Sequence, residues 1–420
     1  MKMAKWAVFA AALGLAATSS GAGAETLRMV GWSFAESATK PFIEQQTKAI
    51  EAIRAGLKLE QIGFPYAQTL QNMILRFRSN QPEEVLQLSE RWVQSVATMG
   101  MLRDANELFG KAELEAIIDP AFLKMGEVNG VRRAVPWIIG SIALVQNSAV
   151  LAKAGITQSP KTMVEWRDQL RKIKAAIPNS VPLAMSTVNP DLIQVESQIV
   201  FWQFGARFFR DGKVAIDSAP AREALRFLVS LVEEGLVAKG NDRNAARRLF
   251  AQELVGFYFD PPVARGFARQ LTGKGAAYDA NVQVIPTPAA APGEPPRSVV
   301  WGHLIGVSSQ TMSPAALADA KAVTAHFTLN PETQMAYWRD QSVFPSTRRA
   351  VEQLKSEPYA ADWLALARDA LPDEPSLYAN SERLRRIIGE EIEAALLGAK
   401  TSDAAIADMA KRLEAEGLKG

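Results

Sequence analysis

The sequence predicts an α/β protein, long enough for two domains and closing in a mainly helical layer. Three observations predict this. Apolar strand-like runs alternate with amphipathic helical stretches from Leu27 to Leu88, which argues for a parallel sheet covered on both sides. Residues 351–412 alternate charged and apolar groups at helical period. The chain is 48% hydrophobic over 420 residues with no low-complexity tract, enough to bury a core in each of two domains.

Leu27 to Trp32 reads as a first strand running into a Gly-aromatic loop, and residues 37–56 as a helix stopped by Gly56. Leu57 to Ile62 suits a second strand, Tyr66 to Phe77 a helix, and Val85 to Leu88 a third strand. The chain changes character from Val131 to Pro136, and Ser141 to Asn147 has strand propensity. A short helix closes at Gly155. Ser159-Pro160-Lys161-Thr162 introduces an amphipathic helix through Ile177, with Met163, Trp166, Leu170 and Ile173 on its core face. Further helices are expected at 195–209 and at 221–234, the latter stopped by Gly235. Val282 to Pro286 is a short strand, and five prolines between 286 and 296 force an irregular segment. Val299 to Val307 is again a strand, and helices dominate from Ala315 onward. There is no internal repeat.

The first residues carry their own signal. Lys2 and Lys5 precede an uncharged apolar run, Trp6 to Ala17, and Ala22-Gly23-Ala24 has the small-x-small form of a cleavage site. Residues 1–24 are therefore expected to be a secretory signal peptide. The remaining body holds 45 basic and 45 acidic side chains, a balance that attracts neither nucleic acid nor a polyanion. With no cysteine, stability must come from core burial rather than disulfides. The missing cysteine also removes the usual lipid attachment point, so a freely diffusing periplasmic monomer is expected.

The block Val135-Pro136-Trp137, Ala143 to Asn147, Leu151 to Ile156 and Pro160 to Trp166 resembles the extracellular solute-binding proteins of ABC importers. Within them it is similar to the sugar-binding group, family 1, the maltose-binding-protein-like proteins. Gln146 stands where tyrosine is usual, and Met163 where tryptophan is usual. A second block, His326 to Gln334 followed by Ser342 to Arg348, matches in order, with Ser342 in place of a glycine. The family's Gly-x-x-Pro-Asp turn is also altered, to Ser79-Asn80-Gln81-Pro82-Glu83. The resemblance implies a two-lobed periplasmic binding protein fold of type II, with parallel-rich sheets flanked by helices and a ligand cleft between lobes. Lobe one would comprise 25–134 and 282–330, and lobe two 135–281 and 331–420. It also implies a transient partner, an ABC permease in the inner membrane, to which the closed, filled form is presented.

A sugar offers hydroxyls for hydrogen bonding and C–H faces for stacking, so its site needs aromatics beside neutral or acidic polar groups. Several loops at strand ends, the usual ligand edge of parallel sheets, combine both. Trp32 follows the first strand, Tyr66 the second, and Glu90 and Trp92 the third. Trp137 borders the crossover. Asn189 lies in a polar turn before a helix, where it or Asp191 could instead serve as the cap. Tyr258 and Asp260 lie in Gly256-Phe257-Tyr258-Phe259-Asp260-Pro261. Trp301 and His303 flank Gly302, and Arg348 sits in the second family-like turn. Each of these aromatics has core packing as its competing role, and Arg91 has an ion pair with Glu90. His326, on an apolar helical stretch, reads as structural.

Chemistry beyond binding finds little support. Two histidines 23 positions apart make no metal pair, and no phosphate or dinucleotide glycine loop is present. No cofactor, metal or catalytic residue is expected, and a glycoside hydrolase is the distant alternative. The expected function is capture of a mono- or disaccharide or related glycoside. Arg91, Arg297 and Arg348 keep a second possibility open, namely a polyol, sugar phosphate or other anionic solute.

Overall fold

The computed structural model describes residues 26–53, 56–81, 83–290, 295–367 and 369–419. The expected signal peptide lies outside the described residues, as do residues 291–294 of the proline-rich segment. In chain order the strands that build the two lobes are β1 (Thr26–Gly31), β2 (Lys58–Gly63), β3 (Val85–Ser89), β4 (Val135–Asn147), β5 (Leu183–Ala184), β6 (Phe257–Asp260), β7 (Val282–Ile285), β8 (Val299–Val307) and β9 (Phe344–Pro345). The helices that bear on the site are α1 (Lys40–Ile53), α2 (Tyr66–Arg78), α3 (Val93–Thr98), α4 (Met163–Ala176), α5 (Pro190–Gln203), α6 (Ala219–Glu233), α7 (Arg243–Ala251), α8 (Pro314–Thr328), α9 (Pro331–Gln341), α10 (Ser381–Leu396) and α11 (Ser402–Glu416).

Hydrogen bonding runs in the order β2-β1-β3-β8-β4-β6-β5, with β7 and β9 also paired to β4. The strand–helix stretches make parallel pairs as the alternation predicts: β1 with β2, β1 with β3, and β6 with β5. The strands that travel between lobes run antiparallel to their neighbours, so each sheet is mixed. β4 is the common member. Its first half pairs with β8 in the first lobe, and Ala143 to Asn147 pair with β6 and β7 in the second.

Both lobes are covered on two faces. In the first, Leu27, Met29, Phe42 and Phe327 pack on one side of the sheet, and Val30, Leu70, Met73 and Val96 on the other. In the second, Ile142 and Leu144 face α4, α5, α6 and the α10–α11 layer, while Ala143 and Val145 face Phe250, Tyr258 and Trp338. Met163, Trp166, Leu170 and Ile173 are all buried on the core face of α4, as their spacing predicts. Each such side chain contributes about 1.5–3 kcal/mol. α4 starts on a capping box, Thr162 with Glu165, and α6 is followed by Gly235 in the left-handed region at φ +70°.

Three expectations change. The helix expected at 195–209 begins at Pro190, capped by the Asn189 side chain, and ends at Gln203. β7 bonds to Leu144–Asn147 of the second lobe, so the return to the first lobe falls within β8 rather than at residue 282. α9, expected in lobe two, stacks Tyr337 on Phe42 of the first lobe with ring centroids 4.3 Å apart. Where the resembling family carries glycine, Ser342 holds φ +59°, and its hydroxyl accepts from Arg265 Nε at 2.8 Å. That hydrogen bond helps hold a backbone conformation that β-carbon sterics disfavour.

Candidate functional site

The C-terminal ends of β1, β2 and β3 deliver three loops to one edge of the first lobe. Trp32 comes from the first, Tyr66 from the second, and Glu90 to Trp92 from the third. Their rings converge. Trp32 meets Tyr66 at 5.3 Å, Trp92 at 5.2 Å and His303 at 4.6 Å, each edge to face. Tyr66 stacks on Trp92 at 4.9 Å, and Trp301 meets His303 at 4.6 Å. Such pairs contribute about 0.5–1.5 kcal/mol beyond burial and fix one another's orientation. Trp32 and Trp92 are 2% and 3% exposed, whereas Tyr66 and Trp301 keep part of their surface open.

Gln87 on β3 organises this wall. Its Oε1 accepts from Ser33 N at 3.2 Å, and its Nε2 donates to Ser33 Oγ at 2.7 Å. A β-carbon on Gly31 would stand 2.2 Å from Gln87 Oε1, so only glycine fits there. Gln87 Nε2 also lies 3.4 Å from His303 Nδ1. Burial pushes the His303 imidazole down to about 3, and the neutral ring can accept that N–H.

Glu90 is the polar centre of the wall. Its Oε2 accepts from Gly302 N at 3.0 Å and from Ser89 Oγ at 3.1 Å. Its Oε1 is buried with no partner among the described residues. Burial pushes this carboxyl up to about 7, against the opposing pull of Arg91 and the two hydrogen bonds. A hydroxyl donor placed at Oε1 would satisfy the orphaned atom.

The second-lobe wall is charged and internally matched. Asp260, fully buried at the end of β6, accepts two bonds from Arg247 of α7, from Nε at 2.9 Å and Nη2 at 2.7 Å. Glu196 of α5 accepts from Ser186 N at 2.7 Å and Arg243 Nη2 at 2.9 Å. Glu36, on the loop after β1, faces this set from the first lobe. Burial raises its carboxyl, Arg247 lowers it and Asp260 raises it further.

Between the lobes lies a cavity of about 200 Å³. Tyr66, Ala67, Leu70 and Trp92 line it from the first lobe. Asn189, Pro190, Asp191, Glu382, Arg385 and Arg386 line it from the second. Arg91, beside it, does not pair with Glu90. Its guanidinium reaches Asp191 and Asp373 of the second lobe.

Of the sequence candidates, Trp32, Tyr66, Glu90, Trp92, Trp301 and His303 come together, and Asn189 stands on the facing rim. Asn189 is also the cap of α5, its Oδ1 accepting from Asp191 N at 3.1 Å, whereas Asp191 caps nothing and pairs with Arg91. Three candidates lie away from the open face of this wall. Trp137 is core: it stacks on Tyr337 at 5.0 Å and packs on Phe327, because β4 is buried on both faces here. Tyr258 alternates inward on β6 and packs against Phe250 at 4.9 Å. Arg348 lies exposed at the start of the Arg348–Leu354 helix, 3.0 Å from Asp119. Asp260 is in the wall, but both its oxygens are taken by Arg247. His326 is structural, with Nε2 3.0 Å from Gln46 Oε1. Sequence reasoning missed Gln87, Glu36, Glu196, Arg243 and Arg247. The four-residue spacing of the two arginines, which puts them on one helix face, was the available signal.

Among the described residues no group of three His, Cys, Asp or Glu side chains is arranged to hold a metal ion, and no helix is long and apolar enough to cross a membrane.

The sequence profile of the family described as bacterial extracellular solute-binding protein matches residues 31–333. A protein of Brucella abortus (strain 2308), named as a binding protein, is 24% identical over 275 residues, 62% of this chain; the match spans 64% of that protein's length. Maltose-bound MalE3 of T. maritima superposes with a TM-score of 0.83 at 22% identity, covering 93% of this chain and 99% of that one. UgpB from Mycobacterium tuberculosis, in complex with glycerophosphocholine, superposes with a TM-score of 0.80 at 19% identity, covering 93% and 98%. At these identities the structural likeness shows the two-lobed fold, which with the matched profile is that of non-catalytic binding proteins.

Proposed function

The chain belongs to the bacterial extracellular solute-binding proteins, and from that membership we propose that it is the substrate-binding component of an ABC importer. It captures a mono- or disaccharide or related glycoside in the periplasm and delivers it to an inner-membrane permease. One observation carries the choice of solute: the partly exposed rings of Tyr66 and Trp301 belong to one aromatic cluster with Trp92 and His303, and Glu90, bonded to Gly302 N beside Trp301, has a buried and unpartnered Oε1. A sugar ring supplies both a C–H face for the aromatics and a hydroxyl donor for the carboxylate. Of the three arginines that would favour an anion, Arg91 is matched by Asp191 and Asp373 and Arg348 by Asp119, while Arg297 makes no ion pair among the described residues; Arg247 of the second lobe is matched by Asp260. The maltose carried by MalE3 of T. maritima is in keeping with this reading.

A second reading, a polyol, sugar phosphate or other anionic solute, draws on Arg386. This side chain lines the cavity, is exposed, and makes no ion pair among the described residues. The glycerophosphocholine bound by UgpB shares a glycerol and an anionic phosphodiester with such solutes. Thermal unfolding of the chain without residues 1–24, measured against neutral sugars, polyols, sugar phosphates, glycerophosphodiesters and amino acids, separates the readings. A neutral saccharide is expected to raise the melting temperature in a concentration-dependent way. Stabilisation by phosphorylated solutes alone favours the second reading, and stabilisation by amino acids alone overturns both.

A further inference from the structure

Arg91 belongs to the first lobe, two residues beyond the end of β3, yet every group its guanidinium touches belongs to the second. Its Nη1 donates to Asp191 Oδ2 at 2.9 Å, and its Nη2 to Gln194 Oε1 at 2.8 Å and Asp191 O at 3.4 Å. Its Nε donates to Asp373 Oδ2 at 3.3 Å. The second lobe answers with Arg385, whose Nη2 donates to Arg91 O at 2.7 Å and whose Nε donates to Asp373 Oδ2 at 2.9 Å. Ser95 Oγ on α3 adds a bond to Ala379 O at 2.7 Å. Arg91, Asp373 and Arg385 are 3%, 2% and 1% exposed.

Position decides what this cross-link does. Ser89 is in register with His303 of β8, and β8 is the neighbour of β4. These two strands are the ones that run from lobe to lobe, so they form the pivot on which one lobe swings away from the other. Adjacent strands stand about 4.8 Å apart. β3 is one strand from β8 and β2 is three, so a rotation moves the Tyr66 end roughly three times as far as the Arg91 end. The cavity walls formed by Tyr66 and Ala67 against Arg386 lie at the far end of this lever. The charges resist separation as well. Burial alone would raise the Asp373 carboxyl, but the two guanidiniums hold it below the ordinary range. An ion pair this buried, once parted, leaves uncompensated charge in a low-dielectric interior.

We propose that Arg91 is a positioning residue that pins the two lobes beside the hinge, so that the cleft opens at its Tyr66–Arg386 end while the Arg91 cross-link stays made. The pin sets where Trp92, the next residue, and Tyr66, stacked on it, meet the Asn189–Asp191 rim. This role rests on the cleft being the solute site, although the motion can be measured without any solute.

The chain has no cysteine, so introduced pairs label uniquely. Spin labels at Gln68 on α2 and Arg383 on α10 report the outer end. Labels at Thr98 on α3 and Leu377, beside Asp373, report the pinned end. Double electron–electron resonance on the free protein is expected to give a broad or two-population distance distribution for the outer pair and a single narrow one for the pinned pair. Arg91→Met, or the milder Gln194→Ala, is expected to broaden the pinned pair, and Arg91→Lys to restore part of its sharpness. A pinned pair as broad as the outer pair overturns the pin. So do two equally narrow pairs, or a pinned pair indifferent to all three substitutions. Adding maltose and then the remaining saccharides of the panel is expected to collapse the outer distribution alone. If none does so, the sugar reading falls, while the pin is still decided by the two distributions of the free protein.

Discussion

The first-lobe wall of the cleft holds Trp32, Tyr66, Trp92, Trp301 and His303 in mutual ring contact, with one unsatisfied carboxylate oxygen among them. The second-lobe wall holds Glu196, Arg243, Arg247 and Asp260, each carboxylate bound by a guanidinium. The first offers broad apolar faces and a single directional acceptor. The second offers fixed dipoles and little net charge. On the proposed function, recognition on the first wall would be by shape and stacking, while the second must stay matched to remain folded.

Breaking the charged wall should cost most. Arg247→Met leaves Asp260 buried without its two bonds, and about 3–5 kcal/mol of stability is expected to be lost in urea unfolding. Adding Asp260→Asn to that variant should recover part of the loss.

On the aromatic wall, two titrating groups should pull in opposite directions. The folded state holds His303 near 3, against an ordinary value of 6.5, so it favours the neutral ring. The stability this gives is present above pH 6.5 and is lost as pH falls toward 3. By pH 4 the loss should reach about 3 kcal/mol, read as the difference between wild type and His303→Gln in urea midpoints. Glu90 is raised from 4.5 to about 7, so its protonated form is the one the fold favours. Its cost is absent at pH 4 and grows as pH rises through 7. Glu90→Gln should therefore be more stable than wild type by about 2 kcal/mol at pH 8, yet bind the saccharide more weakly. Equal stability of the two proteins at pH 8 would show that Oε1 already has a partner.

Smaller effects test the surfaces. Trp301→Ala should weaken saccharide binding about tenfold, near 1.4 kcal/mol by calorimetry, with little change in the pH profile of stability. Arg348→Ala should leave solute affinity unchanged and cost less than about 1 kcal/mol, because its pair with Asp119 is half-exposed.

This contrast also explains what could be read from the chain. Trp32, Tyr66, Glu90 and Trp92 were legible because each follows a short strand, and strand ends of parallel sheets form the ligand edge. The charged wall was opaque because its pairs join residues 13 and 47 positions apart. The burial of Trp137 and Tyr258 was opaque for a related reason. They lie in strands buried on both faces, where polar and apolar positions do not alternate. The start of α5 was hidden by the polar run ahead of residue 195, in which Gln194 is buried despite its polarity. Pro190 after Asn189 carried the right signal, a rigid first helical residue behind a capping side chain. The two-lobed order was clear despite absent glycines: Ser342 adopts a left-handed φ of 59° itself, and in the altered turn the left-handed residue is Asn80, at φ 53°, next to Ser79 at φ −88°.

The 13-residue strand β4 has a consequence for how the molecule comes apart. One half of it is a member of each sheet, so neither lobe can melt without unpairing a strand the other depends on. Calorimetric and van't Hoff enthalpies of heat unfolding should then agree, with the two lobes behaving as one cooperative unit.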